Sequence, residues 1–237
     1  MNEKKYPKVL LCCPQHESKM YAWSRWYENV MNLTYPNFDI YIADNSPTMD
    51  NVIYMNTFEG VRAVFTPDRK KGHLAIMNDS HKQLIEYAKK NKYEWIFHLE
   101  SDVIPPIDVI ERLLARNRPI IAGAYDIFAG QQRMAMIQLP EGINRTERAF
   151  NVVDYLQHRE PLFFDGKLQK VHHAGLGCIL IHRDIFNSVQ FRVVKGLDMH
   201  TDTLFANYCY HLHKDIVVDK TVMCKHYNTT WDGKIIN

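Results

Sequence analysis

Leu33-Thr34-Tyr35-Pro36-Asn37-Phe38-Asp39-Ile40-Tyr41-Ile42-Ala43-Asp44-Asn45-Ser46-Pro47-Thr48 passes from a turn into an apolar run and back into a turn. Phe38 to Ala43 has the length and the β-branched and aromatic content of a strand. Asp44-Asn45-Ser46-Pro47 is a cluster of turn residues that ends it. The same alternation extends to both sides. Val9 to Cys13 reads as a buried strand stopped by Pro14, and Met20, Trp23, Trp26, Tyr27, Val30 and Met31 give one apolar face to a helix from about Glu17 to Asn32. Downstream, Val61 to Phe65 is a short strand running into Pro67. A helix from about Lys70 to Asn91 keeps Leu74, Met77, Leu84, Tyr87 and Ala88 for the core, and Glu94 to Leu99 reads as a central strand. Strands alternating with helices predict a Rossmann-like α/β domain with a mostly parallel central sheet.

The second half is less periodic. Pro105-Pro106 suits a first helical turn, and Ile107, Ile110, Leu113 and Leu114 give that helix an apolar stripe. Strands are expected at about Ile120 to Ala124, Met134 to Leu139 and Gly177 to Ile181, with irregular chain from Glu141 to Lys170. A helix from about Asp202 to Leu212 is followed by two strands, Ile216 to Val218 and Val222 to Cys224. No repeat, low-complexity tract or linker divides the chain, so one domain is expected over residues 1–237.

Composition excludes several classes. With 46% hydrophobic and 24% charged residues and a formal net charge of +2, the chain is neither disordered, collagen-like nor a basic nucleic-acid arm. Its five cysteines include no CxxC pair, which argues against a disulfide framework or a zinc ribbon. Cys12 and Cys13 are adjacent in a strand and should face opposite sides of it as buried thiols. No apolar stretch approaches the ~20 residues that span a bilayer. The apolar run after the first residues is also too short for a signal peptide, so a reduced, cytoplasmic setting is expected.

The most informative motif is Glu100-Ser101-Asp102, an acidic-x-acidic triplet directly after the central strand. Open α/β sheets bind ligands beyond the carboxyl ends of their strands, and carboxylate oxygens suit Mn²⁺ or Mg²⁺. Several blocks together resemble the family-2 nucleotide-sugar glycosyltransferases of the GT-A fold. Leu33 to Thr48 is similar to their "QTYPNFEIIIVDNGSTD" stretch, and Trp95 to Pro106 to their strand, "DxD" and "IPP" segment. His173 to Asp184 is similar to their glycine-containing strand followed by "xRRxxF". His200-Thr201-Asp202 through Asp215, Asp219 and Cys224-Lys225-His226 is similar to "EDxDFxxRxxxxGxxIxxxPxxxxxH".

The resemblance implies a single GT-A catalytic domain, with a donor-binding half at about 1–104 and an acceptor-binding half at about 105–226; the segment 227–237, with Trp231 and Gly233, reads as a C-terminal lid over bound donor or as ordinary terminal fraying. Implied donor contacts are Pro14, Glu17, Asp44, Glu100, Ser101, Gly175 and Gly177, with Asp44 on the nucleoside and Glu100 on ribose or a metal-bound water. Asp102 and His226 are the implied metal ligands, and Asp202 the general base that deprotonates the acceptor. Glu100 stands where the family has its first aspartate, and Thr201 where it has a glutamate. The implied reaction moves a hexose, glucose favoured, from a UDP-sugar to a hydroxyl acceptor with inversion. The acceptor is either a hydroxymethylated pyrimidine in phage DNA or a saccharide. A retaining reaction follows if Asp202 is only a helix cap, and a non-catalytic nucleotide-sugar or metal-binding module is the alternative. Outside these blocks, His172-His173 and His211-x-His213 read as solvated surface histidines, and Arg69-Lys70-Lys71 as a solvated basic run.

Overall fold

In the computed structural model, described over residues 6–66, 72–125, 166–192 and 200–227 and over the backbone of a few short strands beyond these, eight strands form one central sheet. Its parallel half contains β1 (Val9–Gln15), β2 (Phe38–Asp44), β3 (Val61–Phe65) and β4 (Trp95–Leu99), in the spatial order β3-β2-β1-β4. The other half adds β6 (Ile120–Ala124), β11 (Leu168–Val171), β12 (Cys178–His182) and β13 (Ile216–Met223). There β12 runs antiparallel between β4 and β6, β13 runs parallel to β6, and β11 closes the edge antiparallel to β13. Two-stranded pairings join β5 (Val103–Ile104) to β14 (Lys225–His226), β7 (Ile127–Ala129) to β8 (Gln132–Met134), β9 (Ile137–Gln138) to β10 (Leu156–Gln157), and β15 (Asn228–Thr229) to β16 (Ile235–Ile236).

Each face of the sheet has its own core, as strand alternation requires. Leu10, Cys12, Tyr41, Ile96 and Ile179 pack on one side with Leu84 and Ala88 of α3 (His73–Lys90) and Phe205 and Cys209 of α6 (Thr201–His211). Val9, Leu11, Cys13, Ile42 and Phe97 pack on the other with Trp23, Trp26 and Val30 of α1 (Trp23–Met31) and Ile110 and Leu113 of α4 (Val109–Leu114). Cys12 and Cys13 thus face opposite cores, and all five cysteines are buried free thiols. Among the described residues no helix is long and apolar enough to cross a membrane.

Several boundaries differ from the sequence reading for local reasons. Pro14 does not stop β1, which continues through Gln15 opposite Asp44. The Gln15 carbonyl accepts from Asn45 N on the β2 side, so the backbone of Pro14 faces the other side, where pairing to β4 has ended at Cys12. A proline is tolerated where its missing N–H has no ladder partner. The helix expected from Glu17 begins as a 3₁₀ segment, Glu17–Ala22, capped by the His16 ring, and Met31 is exposed. The helix expected at Pro105-Pro106 starts only at Val109, leaving Ile107 exposed. The strand expected over Met134 to Leu139 is divided between the end of β8 and β9. The two C-terminal strands are one, β13, with an irregularity between Asp219 and Met223. At the end of the stretch expected to be irregular, Leu168–Val171 is an edge strand, whose polar alternation hides it from an apolar-run reading. Two short helices, α2 (Asp50–Met55) and α5 (Arg183–Phe186), leave no clear periodic signal in so few residues.

Candidate active site

β1, β2 and β4 are parallel, so their carboxyl ends share one edge of the sheet. A cavity of about 420 Å³ opens there. Pro14, Gln15 and Asn45 line it from the ends of β1 and β2, and Glu100, Ser101 and Asp102 from the end of β4. His73, Met77 and His81 of α3 and Thr201 of α6 face them.

The turn after β4 aims the acidic triplet. Glu100 N donates to the Gly177 carbonyl at 3.0 Å, and Val103 N donates back to the Glu100 carbonyl at 3.0 Å. Ser101 Oγ donates to Gln15 Oε1, tying the turn to β1. β5 then pairs with β14, His226 opposite Val103, and Tyr227 N donates to the Asp102 carbonyl at 2.8 Å. This two-residue ladder is what carries His226 to the triplet. Glu100, Asp102 and His226 each offer one ligand atom, all within 4.8 Å of one another.

Asp102 is fully buried. Its Oδ2 accepts from Lys19 Nζ, lies 3.3 Å from the Tyr21 hydroxyl and 3.4 Å from His226 Nε2, while Oδ1 has no hydrogen-bond partner among the described residues. Burial alone would raise its carboxyl, but the neighbouring His226 ring and the Lys19 ammonium outweigh that and hold it below the usual range. Glu100 moves the opposite way: burial raises it and the neighbouring Asp102 charge adds to that, with Lys19 and His226 offsetting only part of the rise and Asp202 adding a little to it. A close pair of carboxyls of unlike tendency, one with an orphaned oxygen, is an arrangement that a divalent cation would complete.

Asp202, second residue of α6, follows Thr201 of the cavity wall; it is not itself among the residues lining the cavity, and its charge acts on Glu100. Its Oδ1 accepts from Thr203 N at 2.7 Å and its Oδ2 lies 3.6 Å from His173 Nε2. Burial would raise its carboxyl, but the nearby His173 ring and the Thr203 N–H bring it down to about 2. The sequence reading makes His173 a solvated surface residue. It is instead buried at 2% exposure and is the partner of Asp202. His211 and His213 are exposed, as expected.

The remaining candidates are distributed differently. Asp44 exposes none of its surface; its two oxygens accept from Ser46 N and Ser46 Oγ, both at 2.9 Å. Burial pushes its carboxyl up, partly offset by these bonds. Glu17 is exposed on the 3₁₀ segment and is not among the residues lining the cavity. The room left by Gly175 and Gly177 is occupied by Tyr125: a Cβ on Gly175 would lie 2.0 Å from the Tyr125 hydroxyl, and one on Gly177 2.7 Å from its ring. Gly177 N donates to that hydroxyl at 3.0 Å, and the Tyr125 ring stands edge-on to His226 at 5.3 Å. The two glycines therefore let Tyr125 buttress the metal-ligand candidate. Lys19, Tyr21, Tyr125 and His173 carry no sequence signal of their own for these contacts, which join distant parts of the chain. The Arg69-Lys70-Lys71 run and the side chains of the expected lid beyond Tyr227, Trp231 included, lie outside the described residues.

No protein-family model matches the sequence, and no curated protein does. Solved structures do match. The chain is similar to A197 from STIV at 12% identity and a TM-score of 0.50, covering 97% of this chain and 93% of that one. It is also similar to GalNAc-T7, solved with UDP, GalNAc and Mn²⁺, at 12% identity and a TM-score of 0.58. That match covers 94% of this chain but 44% of the other, so the chain spans less than half of GalNAc-T7's length. The fold is a mixed α/β domain of the GT-A kind.

Proposed function

We propose that the protein is a metal-dependent glycosyltransferase that moves a hexose from a UDP-sugar to a hydroxyl acceptor with inversion. The observation that carries this is the convergence of Glu100, Asp102 and His226 beside the 420 Å³ cavity at the carboxyl edge of the parallel strands. The GT-A fold, shared with an enzyme solved with UDP and Mn²⁺, supports the same reading.

Two carboxylates and an imidazole form a donor set that accepts Mn²⁺ or Mg²⁺, and Asp102 Oδ1 has no hydrogen-bond partner among the described residues. Asp102 and His226 would hold the ion, with Glu100 as a third ligand or a contact to ribose. When bound, such an ion neutralises the charge that builds on a departing diphosphate. Lys19, now paired with Asp102, supplies a second cation at the same place. Ser101 and Gln15 fix the turn, and Asp44 holds Ser46 so that the neighbouring Asn45 lines the nucleoside end of the cavity. Pro14 and Glu17 belong to the same donor end. Gly175 and Gly177 act through Tyr125.

Asp202 is the proposed base. His173 keeps it ionised and oriented, so that it accepts the acceptor's proton as the new bond to the anomeric carbon forms. In this reading the donor half is about 1–104, the acceptor half about 105–226, and residues 227–237 act as a lid. Glucose remains the favoured sugar, with a hydroxymethylated pyrimidine in DNA or a saccharide as acceptor, and the setting is cytoplasmic.

Labelled UDP-glucose with Mn²⁺, offered with hydroxymethylated DNA or a saccharide panel, tests the reading. Release of UDP that needs Mn²⁺ and Asp102 is the expected result. Nucleotide binding without turnover of any common donor would instead favour a non-catalytic module.

A further inference from the structure

The helix that lines the candidate site carries a second feature further along its length. His73, Met77 and His81 of α3 face the 420 Å³ cavity. Lys82, Glu86 and Lys89 of the same helix line a different cleft of about 380 Å³, closed from the other side by Gln190 and Arg192. At 1.5 Å per residue, Lys89 lies about 12 Å along the helix axis from His81. The cleft is at the lower end of the ~300–1,000 Å³ range of small-ligand sites.

Its floor is apolar and buried, made by Ile85, Val189 and Phe191. Among the described residues that line it the charges are unbalanced: Lys82, Lys89 and Arg192 face one carboxylate, Glu86. Glu86 lies 3.8 Å from Lys82 and both side chains are exposed, so their attraction is weak in water. Lys89 Nζ donates to the Asn187 carbonyl at 3.0 Å, which holds the ammonium at the cleft while leaving N–H donors to spare. Burial lowers Lys89 from its ordinary value, with only Glu86 acting against this. Two lysines and an arginine around an apolar floor are suited to an oxyanion, the arginine by a two-pronged contact and the lysines as point charges.

We propose that this cleft binds a phosphate group, as a monoester or a diester, separately from the diphosphate site at Asp102. The proposal does not depend on the donor reading, because binding is measured without turnover. The full chain is titrated in metal-free, EDTA-containing buffer of low ionic strength with inorganic phosphate by calorimetry, and with a mixed-sequence single-stranded oligodeoxynucleotide by fluorescence anisotropy. Phosphate binding alone identifies a small ligand and oligonucleotide binding a polymer; either supports the site if affinity falls at least ~10-fold in Lys82→Glu/Arg192→Glu. Both side chains are exposed, so that variant should melt as the parent does. Lys89→Met should give a smaller loss, as should Arg192→Lys, which keeps the charge but removes the two-pronged contact. Lys90→Glu/Lys92→Glu reverses the same charge at exposed positions outside the cleft and should change affinity less than ~2-fold. The proposal is overturned if neither probe binds, if the cleft reversal leaves affinity within ~2-fold, or if the control reversal weakens binding equally.

Discussion

Asp44 and Asp102 stand at the carboxyl ends of β2 and β4, on the same edge of one sheet, and their surroundings differ completely. Asp44 has spent both oxygens on Ser46, two residues ahead, and so closes its own turn. Asp102 uses Oδ2 for Lys19, Tyr21 and His226, which come from distant parts of the chain, and keeps Oδ1 buried without a partner among the described residues. Burial pushes the Asp44 carboxyl up, whereas surrounding cations and donors hold Asp102 down. Both positions look alike in sequence, as an acidic residue ending an apolar run. The two carboxylates differ in whether their oxygens are consumed within their own turn.

The sharpest test of that contrast lies in activity. Asp202→Asn keeps the shape and removes the base, and turnover should fall by about 10²–10⁴-fold with Mn²⁺ and UDP binding retained. Asp102→Ala should lower Mn²⁺-dependent UDP release by at least ~100-fold, more than the typical cost of losing a group that only orients a metal ligand. Asp44→Ala should act on the other side of the comparison. It leaves the Ser46 N–H and hydroxyl without their acceptor and should cost about 1–3 kcal/mol in urea unfolding, with Mn²⁺ affinity unchanged. A collapse of Mn²⁺ binding in Asp44→Ala would erase the distinction.

A smaller effect is expected from the buried histidines. His81 and His98 stack at 5.0 Å, and each ring has one nitrogen bonded to a carbonyl, of Met77 and Leu176. Burial lowers them to about 4 and about 3 from an ordinary value of 6.5. Because the folded values are depressed, the unfolded chain binds protons first as pH drops. Stability is therefore full above 6.5 and lost on acidification toward 4, at up to ~1.4 kcal/mol per pH unit for each ring. Thermal melts from pH 7 to pH 4.5 should show this decline, reduced in His81→Phe. The smallest change is expected of Lys19→Met, which removes the ammonium from Asp102 Oδ2 and leaves Tyr21 and His226 there. Mn²⁺ affinity should rise a few-fold at low ionic strength, since a half-exposed ammonium competes only modestly with the ion.

The parallel half of the fold was legible because its strands are continuous apolar runs bounded by turn residues, as in Val9 to Cys13 and Phe38 to Ala43. The acidic triplet was legible for the same reason, since the end of β4 fixes where its carboxylates emerge. The pairing of β5 with β14 was not, because two-residue strands leave no periodic trace. His226 could be named only through resemblance, and the roles of Lys19, Tyr125 and His173 not at all. Those roles arise from contacts such as Lys19 to Asp102 that join residues 83 apart in sequence and obey no spacing rule. Gly175 and Gly177 were legible as points of close approach, but the approaching group is Tyr125.

The central claim is that Asp102 and His226, with Glu100, hold a divalent cation. Titration of Mn²⁺ followed by electron paramagnetic resonance, with and without UDP, measures it without any assumption about the acceptor. One bound Mn²⁺ per chain, tightened by UDP and lost in both Asp102→Ala and His226→Ala, is the predicted result. Undiminished Mn²⁺ binding in those variants, or none in the unaltered protein with UDP present, would contradict the account.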